Sequence, residues 1–258
     1  MGTGVTNLDT AFQETGIQLD KIICYLKRQK YIDPKISRFY YSDGSIVEDN
    51  IVGTLDDRYS ESDLYVDGEI QDPSAPRLIR AELGTNVTKI GQAAFSQCED
   101  LSALVIPNSV SSIDSDSIQG SGIKSLYVPD SVVKLESYVF ANSMLDSISI
   151  PGTISSLPSY AFENSSLTSI VFREPGLKSI GDCCFQGIEF MQLSLTVPET
   201  IESIGENAFL NTTVPEITFT GKSRTDVMAM TKRGEIAEEW GLWGGTEIHC
   251  TDGSFVVE

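Results

Sequence analysis

The sequence predicts a β-rich solenoid: about seven coils of 22–24 residues each, between an N-terminal helix and a C-terminal capping segment. Bulky apolar residues recur at spacings of 23, 22, 22, 23 and 24 residues. Prolines recur at a matching period, and short alternating apolar segments precede them. Because one unit of this length cannot bury its own apolar face, neighbouring units must stack.

The bulky position is the most regular feature of the chain. It is filled by Phe95, Ile118, Phe140, Phe162, Phe185 and Phe209. The proline position is filled by Pro107, Pro129, Pro151 and Pro198. Two positions that recur independently at one period indicate a true repeat.

One coil shows how the pattern predicts local structure. Ile148 and Ile150 alternate with serines, as in a strand with one buried face. Pro151 ends that strand because it has no amide proton to donate to a ladder. Leu157 then turns back toward the core, and Phe162 fills the wide end of the coil.

Glycine follows an isoleucine in three coils, at Gly91, Gly181 and Gly205. A tight turn at this point leads from the second buried segment to the bulky residue. We expect the turn to need a positive φ, which glycine adopts without steric cost.

The second half of the repeat carries a family resemblance. Segments 90–98 (IGQAAFSQC) and 204–209 (IGENAF) follow the pattern LxxIxIPxSVxxIGxxAFxxC of the BspA-like leucine-rich repeat proteins almost letter for letter. The chain resembles this family over residues 78–219. Ile118 departs from the expected Phe, Asp114 from Gly, and Arg173 from Pro. We expect these departures to change local turns and not the architecture.

The resemblance implies a leucine-rich repeat array in a surface protein that adheres to other proteins or cells. Similar arrays also occur in bacteriophage genomes. The segment from Ile217 onward resembles the closing segment often attached to such arrays, and an exposed last coil must be covered in any case. Trp240 and Trp243 are expected to plug that end.

Four regions are predicted: a heptad helix at 1–30, a small acidic β- or loop-rich unit at 31–77, the repeats at 78–220 and a cap at 221–258. Two hairpins are expected in the second region, around Asp43-Gly44 and Asp67-Gly68. The helix has an apolar seam interrupted by Thr15 and Gln29. The seam consists of Leu8, Phe12, Leu19, Ile22 and Leu26. This seam allows two interpretations of the helix. It could form a homo-oligomer (dimer or trimer) or anchor the protein, or it could pack on the solenoid as a cap.

Composition excludes several classes of function. Residues 39–258 hold 12 Lys/Arg against 33 Asp/Glu, and so acidic a surface repels nucleic acid. No apolar run approaches the roughly 20 residues of a membrane-spanning helix, and no secretory signal is visible at the start. Five cysteines without a CxxC pair predict free thiols rather than a disulfide scaffold.

Residues for catalysis or metal binding are scarce. His249 is the only histidine, so any Ser-His or Cys-His mechanism would have to use it. We expect His249 instead to be a non-catalytic residue of a capping strand. The acidic pairs Asp56-Asp57 and Asp114-x-Asp116 lie in no calcium-loop motif. We therefore predict no catalytic residues, no metal site and no cofactor.

The first strand of each coil is expected to turn two rows of residues outward, about 4.8 Å apart along each row. One row consists of Glu82, Val105, Tyr127, Ser149, Val171, Thr196 and Thr218. The other consists of Arg80, Ala103, Ser125, Ser147, Ser169, Ser194 and Glu216. The middle of this surface is small, rich in hydroxyls and nearly uncharged. It could contact a protein or a glycan, or small residues could simply relieve crowding on a curved sheet.

The sequence thus favours a non-catalytic binding or structural protein displayed on a surface. A bacteriophage fibre or decoration protein, on the virion surface, is the leading hypothesis. A bacterial cell-surface adhesin is the alternative, and an enzyme acting on surface glycans is a third.

Overall fold

The computed structural model describes residues 33–66, 69–173, 176–188 and 194–258. The predicted helix at 1–30 lies outside the described residues. The same holds for its seam residues, Leu8, Phe12, Leu19, Ile22 and Leu26.

The described residues form short strands and few helices. In chain order the strands are β1 Ser37–Tyr41, β2 Ile46–Asp49, β3 Gly53–Leu55, β4 Tyr65–Val66, β5 Glu69–Ile70, β6 Leu78–Glu82, β7 Val87–Ile90, β8 Ala103–Val105, β9 Ser112–Ile113, β10 Ser125–Tyr127, β11 Lys134–Leu135, β12 Ser147–Ile150, β13 Ser156–Leu157, β14 Ser169–Phe172, β15 Ser179–Ile180, β16 Ser194–Val197, β17 Ser203–Ile204, β18 Glu216–Phe219, β19 Glu247–Cys250 and β20 Gly253–Val256. The helices are α1 Arg224–Ala229 and α2 Ile236–Trp240, with 3-10 turns at Asp57–Tyr59 and Ser62–Leu64.

The strands stack as the coils of a solenoid, which confirms the predicted fold. Each coil opens with a strand of a first ladder and continues with a strand of a second ladder. The first ladder contains β6, β8, β10, β12, β14, β16 and β18. The second contains β7, β9, β11, β13, β15 and β17. Six coils are therefore complete, and β18 begins a seventh whose remainder is replaced by the cap.

A third column of hydrogen bonds, the turn column, runs through the bulky residues. The amide of Phe140 donates to the carbonyl of Ala161 at 2.9 Å, and the amide of Phe162 donates to Cys184 at 2.9 Å. The residues two before and two after the bulky one donate to the next coil in the same way; for example, Asn142 donates to Glu163 at 2.7 Å. The turn column thus ties each coil to the next, in addition to the hydrogen bonds of the two ladders.

The bulky side chains stack inside the turn column. The ring centroids of Phe140 and Phe162 are 5.2 Å apart, those of Phe162 and Phe185 are 5.4 Å apart, and those of Phe185 and Phe209 are 5.5 Å apart. All four rings are fully buried. The predicted interior position of these residues is confirmed.

The prediction of a positive φ at the coil glycines is wrong. Positive φ occurs at non-glycine residues two positions later, such as Ala93 (55°) and Cys183 (52°). The glycines are needed for close approach instead: a Cβ at Gly91 would lie 2.5 Å from the carbonyl oxygen of Leu55, and one at Gly205 would lie 2.4 Å from a backbone nitrogen. The coils are packed too closely there for any side chain.

Residues 33–77 cover the N-terminal end of the solenoid. Both predicted hairpins are present, as β1–β2 and β4–β5. Strand β1 pairs antiparallel with β6, and β3 pairs parallel with β7, so this region extends both ladders. A buried ion pair holds it: Nη2 of Arg77 lies 2.6 Å from Oε2 of Glu61, and the amide of Leu78 donates to the other oxygen at 2.7 Å.

Residues 221–258 cover the C-terminal end of the solenoid. Strand β19 pairs parallel with β18, and β20 turns back antiparallel on β19. The carbonyl of Trp240 accepts the amide of Phe209 at 2.8 Å, where a seventh coil would otherwise supply it. Trp240 is buried and plugs the core, but Trp243 is 61% exposed. The prediction that both tryptophans plug the end is therefore wrong for Trp243.

Replacing Phe162 by alanine should lower the free energy of unfolding by roughly 3–5 kcal/mol, because it removes a ring stacked on both sides. Chemical denaturation measures this change. Met144→Ala, at a side chain that is 52% exposed, is the control and should have little effect. Wild-type stability of the Phe162 variant would show that the stacking register is wrong.

Candidate functional site

The outward surface of the first ladder is the candidate site, and its strand register is the one predicted. Ser125, Ser147 and Ser169 are successive partners across β10, β12 and β14. The second row is formed by Tyr127, Ser149 and Val171, which pair in the same register. Six of the seven predicted binding residues therefore lie on one three-stranded sheet.

Thr196, the seventh predicted residue, lies on a different sheet. The first ladder is divided into three hydrogen-bonded sheets, ordered β2-β1-β6-β8, β10-β12-β14 and β16-β18-β19-β20. Thr196 pairs with Thr218 on the third sheet. The prediction of uninterrupted rows from coil to coil thus needs correction, because neighbouring strands of different sheets do not share ladder hydrogen bonds.

Arg173 crosses the middle sheet and changes its charge. Its Cζ atom lies 4.3 Å from the ring centroid of Tyr127. One amino group donates to the carbonyl of Val128 at 2.6 Å and to the carboxylate of Asp130 at 2.5 Å, and the other donates to the hydroxyl of Ser149 at 3.2 Å. A half-buried guanidinium group therefore lies within a surface that was expected to be nearly uncharged.

The middle sheet also exposes apolar side chains. Val171 is 52% exposed and Tyr127 is 41% exposed, while Val105 on the neighbouring sheet is 50% exposed. Apolar groups beside serine hydroxyls and a fixed guanidinium group are suited to contact with another molecule. Aromatic residues and arginine are the residue types enriched in protein interfaces.

A Ser-His-Glu alignment lies at the C-terminal end of the same surface. The ring Nδ1 of His249 is 2.7 Å from the hydroxyl oxygen of Ser254, and Nε2 is 3.5 Å from a carboxylate oxygen of Glu216. Strand pairing brings these residues together, which the sequence alone did not reveal. They lie on the outward face of β18, β19 and β20, where the side chains of His249 and Glu216 are 32% and 40% exposed. Pairing between neighbouring strands accounts for the alignment.

One member of each acidic pair identified in the sequence is engaged by a cation. Asp56 accepts two hydrogen bonds from the side chain of Arg58, and Asp114 lies 2.7 Å from the ammonium group of Lys89. Within the described ranges, no group of three or more His, Cys, Asp and Glu side chains could hold a metal ion.

The four described cysteines are free thiols, as predicted. Burial raises the pKa of Cys98 and Cys184 well above the ordinary thiol range. Both thiols are fully buried and pack in the core. They therefore have a structural role, since only an accessible thiolate is reactive.

The chain belongs to the BspA type leucine rich repeat family. The family's sequence model matches six copies of the repeat, over residues 75–189 and 172–226, which together exceed half of the chain. The predicted resemblance is thereby confirmed. Proteins of this family are typically displayed on surfaces.

Solved structures of bacterial proteins match parts of the chain. A leucine-rich repeat protein from Bacteroides ovatus is 23% identical, with 55% of this chain and 43% of that chain covered and a TM-score of 0.44. One from Eubacterium ventriosum is 18% identical (72% and 58% covered, TM-score 0.45). A leucine rich cell surface protein from Faecalibacterium prausnitzii is 19% identical (58% and 62% covered, TM-score 0.25). The chain thus spans less than two thirds of each. No curated protein matches it.

No helix among the described residues is long and apolar enough to cross a bilayer.

Replacing Arg173 by methionine should lower the free energy of unfolding by about 1–2 kcal/mol, because the cation–π contact and the hydrogen bonds across three coils are lost. Arg173→Lys should lower the free energy of unfolding less than Arg173→Met does, but should not match the wild type, since an ammonium group lacks the planar shape of a guanidinium group. Arg58→Met, at an exposed ion pair, is the control and should change little. Equal effects at Arg173 and Arg58 would contradict the bridging role.

Proposed function

We propose that this protein is a non-catalytic binding protein, displayed on a surface, that contacts a protein or a glycan through the outward face of β10, β12 and β14. The observation that carries the proposal is the combination on that sheet of exposed apolar side chains, serine hydroxyls and a guanidinium group held in place. Membership of the BspA type leucine rich repeat family supports a binding or structural role.

The residues that carry the binding are Tyr127, Val171 and Arg173, supported by the serine rows. The Tyr127 ring packs against the Arg173 guanidinium group, so little side-chain freedom is lost when a partner binds. The row of Ser125, Ser147 and Ser169 supplies hydroxyls that donate and accept hydrogen bonds. Such a surface matches the mixed apolar and polar character of protein and glycan ligands.

For the setting, we propose a bacteriophage virion component, either a fibre or a decoration protein, with a bacterial cell-surface adhesin as the alternative. The heptad pattern of residues 8–29 supports the virion hypothesis, because a helix of this kind can assemble or anchor a fibre. Capsid or tail genes beside the gene would support it. Genes for cell-envelope proteins there would favour the adhesin.

The face can be tested with two valines of similar exposure on different sides of the solenoid. Val171 is 52% exposed on the outward face, and Val133 is 59% exposed immediately before β11 of the second ladder. The labelled wild-type protein would be screened on arrays of extracellular proteins and glycans. For each ligand found, Val171→Asp should weaken binding at least about tenfold, since it places a charge in a desolvated contact.

Val133→Asp introduces the same charge elsewhere and should bind as the wild type does. Equal loss in both variants, or loss in Val133→Asp alone, would place the binding surface elsewhere. Hydrolysis of a glycan from the same array, abolished by a single carboxylate substitution, would show instead that the protein is an enzyme.

The helix predicted at 8–29 can be tested by its effect on mass in solution. If its seam forms a dimer or trimer, light scattering should give two or three times the chain mass at micromolar concentration. Leu19→Asp, in the middle of the seam, should then give the mass of one chain because it buries a charge in the helix interface. A clean monomer in the wild type would rule out the oligomerising role.

A further inference from the structure

The C-terminal cap closes two of the three hydrogen-bonded columns and leaves the third open. Strand β19 continues the first ladder beyond β18. The carbonyls of Glu239 and Trp240 continue the turn column, by accepting the amides of Asn207 and Phe209 at 2.8 Å each. In the part of the chain that the structure describes, no strand follows β17 in the second ladder, which ends in the order β13-β15-β17.

The open edge of β17 presents the same kind of backbone carbonyls that β15, one coil earlier, uses to bind β17. There, the carbonyl of Lys178 accepts the amides of Glu202 and Ser203, at 2.7 and 3.2 Å. The carbonyl of Ile180 likewise accepts the amide of Gly205 at 2.8 Å. The corresponding carbonyls at the open edge belong to Glu202, just before β17, and to Ile204. They accept no hydrogen bond from any described residue of the cap.

A groove of about 510 Å³ lies beside β17, and its lining extends back to Ser159 and Ser179 in the two preceding coils. The coil side is formed by Ser203, Ile204 and Gly205, and the cap side by Met230, Lys232 and Arg233. Ile204 is the least covered residue of its interior column: it is 7% exposed, whereas Ile180 is 2% and Leu157 is 0% exposed. The groove therefore lies beside backbone carbonyls that no described residue uses, and beside a buried isoleucine that is slightly more exposed than its equivalents in the earlier coils.

We propose that this groove binds an extended peptide segment of a partner protein, which adds to β17 as a seventh strand of the second ladder. The segment would run parallel to β17 and donate amides to the carbonyls of Glu202 and Ile204. Its sequence would follow the second ladder itself. An isoleucine or leucine would cover Ile204, and a small polar residue before it would point outward, as Ser179 and Ser203 do.

An extended peptide fits this groove better than a compact ligand. The unused groups are backbone carbonyls at a strand edge. The amides of one extended segment can satisfy them together, as the amides of Glu202 and Gly205 satisfy those of Lys178 and Ile180 one coil earlier. The charged side chains at the rim are of both signs, Lys232 and Arg233 against Glu206 and Glu238, and select no strongly charged ligand. This groove lies on the second ladder, so the proposal is independent of binding at the first ladder's outward face.

The test uses the full chain and a synthetic peptide that copies residues 109–116, Ser-Val-Ser-Ser-Ile-Asp-Ser-Asp, from the second ladder of coil two. The peptide is acetylated and amidated, labelled with a fluorophore, and titrated by fluorescence anisotropy. Methylating the two amides copied from Ser111 and Asp114 removes the donors to β17, and should weaken binding at least about tenfold. Methylating the amide copied from Ile113, which points away from β17 in a parallel ladder, should have no effect.

A matched pair of protein variants locates the site. Lys232→Trp places an indole in the groove at an exposed position and should weaken binding at least about tenfold. Lys124→Trp makes the same change at an exposed residue outside the groove and should leave binding unchanged.

Three results would overturn the proposal. The first is the absence of saturable binding up to about 1 mM peptide, a concentration at which even weak complexes form. The second is equal affinity for the parent and the doubly methylated peptide. The third is self-association of the unliganded chain that Lys232→Trp abolishes, which would make a second copy the occupant.

Discussion

Each coil has to place its large side chain directly over that of the coil before it, and the rest of the solenoid depends on this stacking. The ring separations of 5.2–5.5 Å from Phe140 to Phe209 are close to the roughly 4.8 Å between neighbouring strands. Rings and ladders can therefore advance together from coil to coil. The two ladders and the turn column then form with little change of register, and the outward rows of the first ladder align as a consequence.

The sequence predicted those parts of the fold that depend on periodic burial. Phe162 and Pro151 recur with their equivalents at one period, and their positions were enough to place the interior, the strand ends and the outward rows. The register of Ser147 with Ser125 and Ser169 follows from the same period. Residues that obey the repeat could be placed without the structure because each coil repeats the environment of the last.

Features that break the repeat could not be placed in this way. Arg173 was recognised only as a missing proline, because nothing local to it shows that its side chain reaches Tyr127 two coils earlier. The left-handed backbone at Tyr138 and Cys183 was also missed, since glycine is the residue expected at positive φ. Each such position costs roughly 1–2 kcal/mol, which the inter-coil hydrogen bonds of the turn column offset. The pairing of His249 with Ser254 depends on a hairpin whose register only the structure shows.

The way in which the cap meets the last coil has an evolutionary consequence. The carbonyl of Trp240 accepts the amide of Phe209 in coil six, just as coil six accepts that of Phe185 in coil five. Strand β19 pairs parallel with β18, just as β18 pairs with β16, so the cap recognises a generic coil and no particular one. A gene duplication or deletion that adds or removes one whole coil would leave both end contacts unchanged. Such an array can lengthen or shorten over generations while each intermediate stays folded, and the size of its outward face would change in steps of one strand.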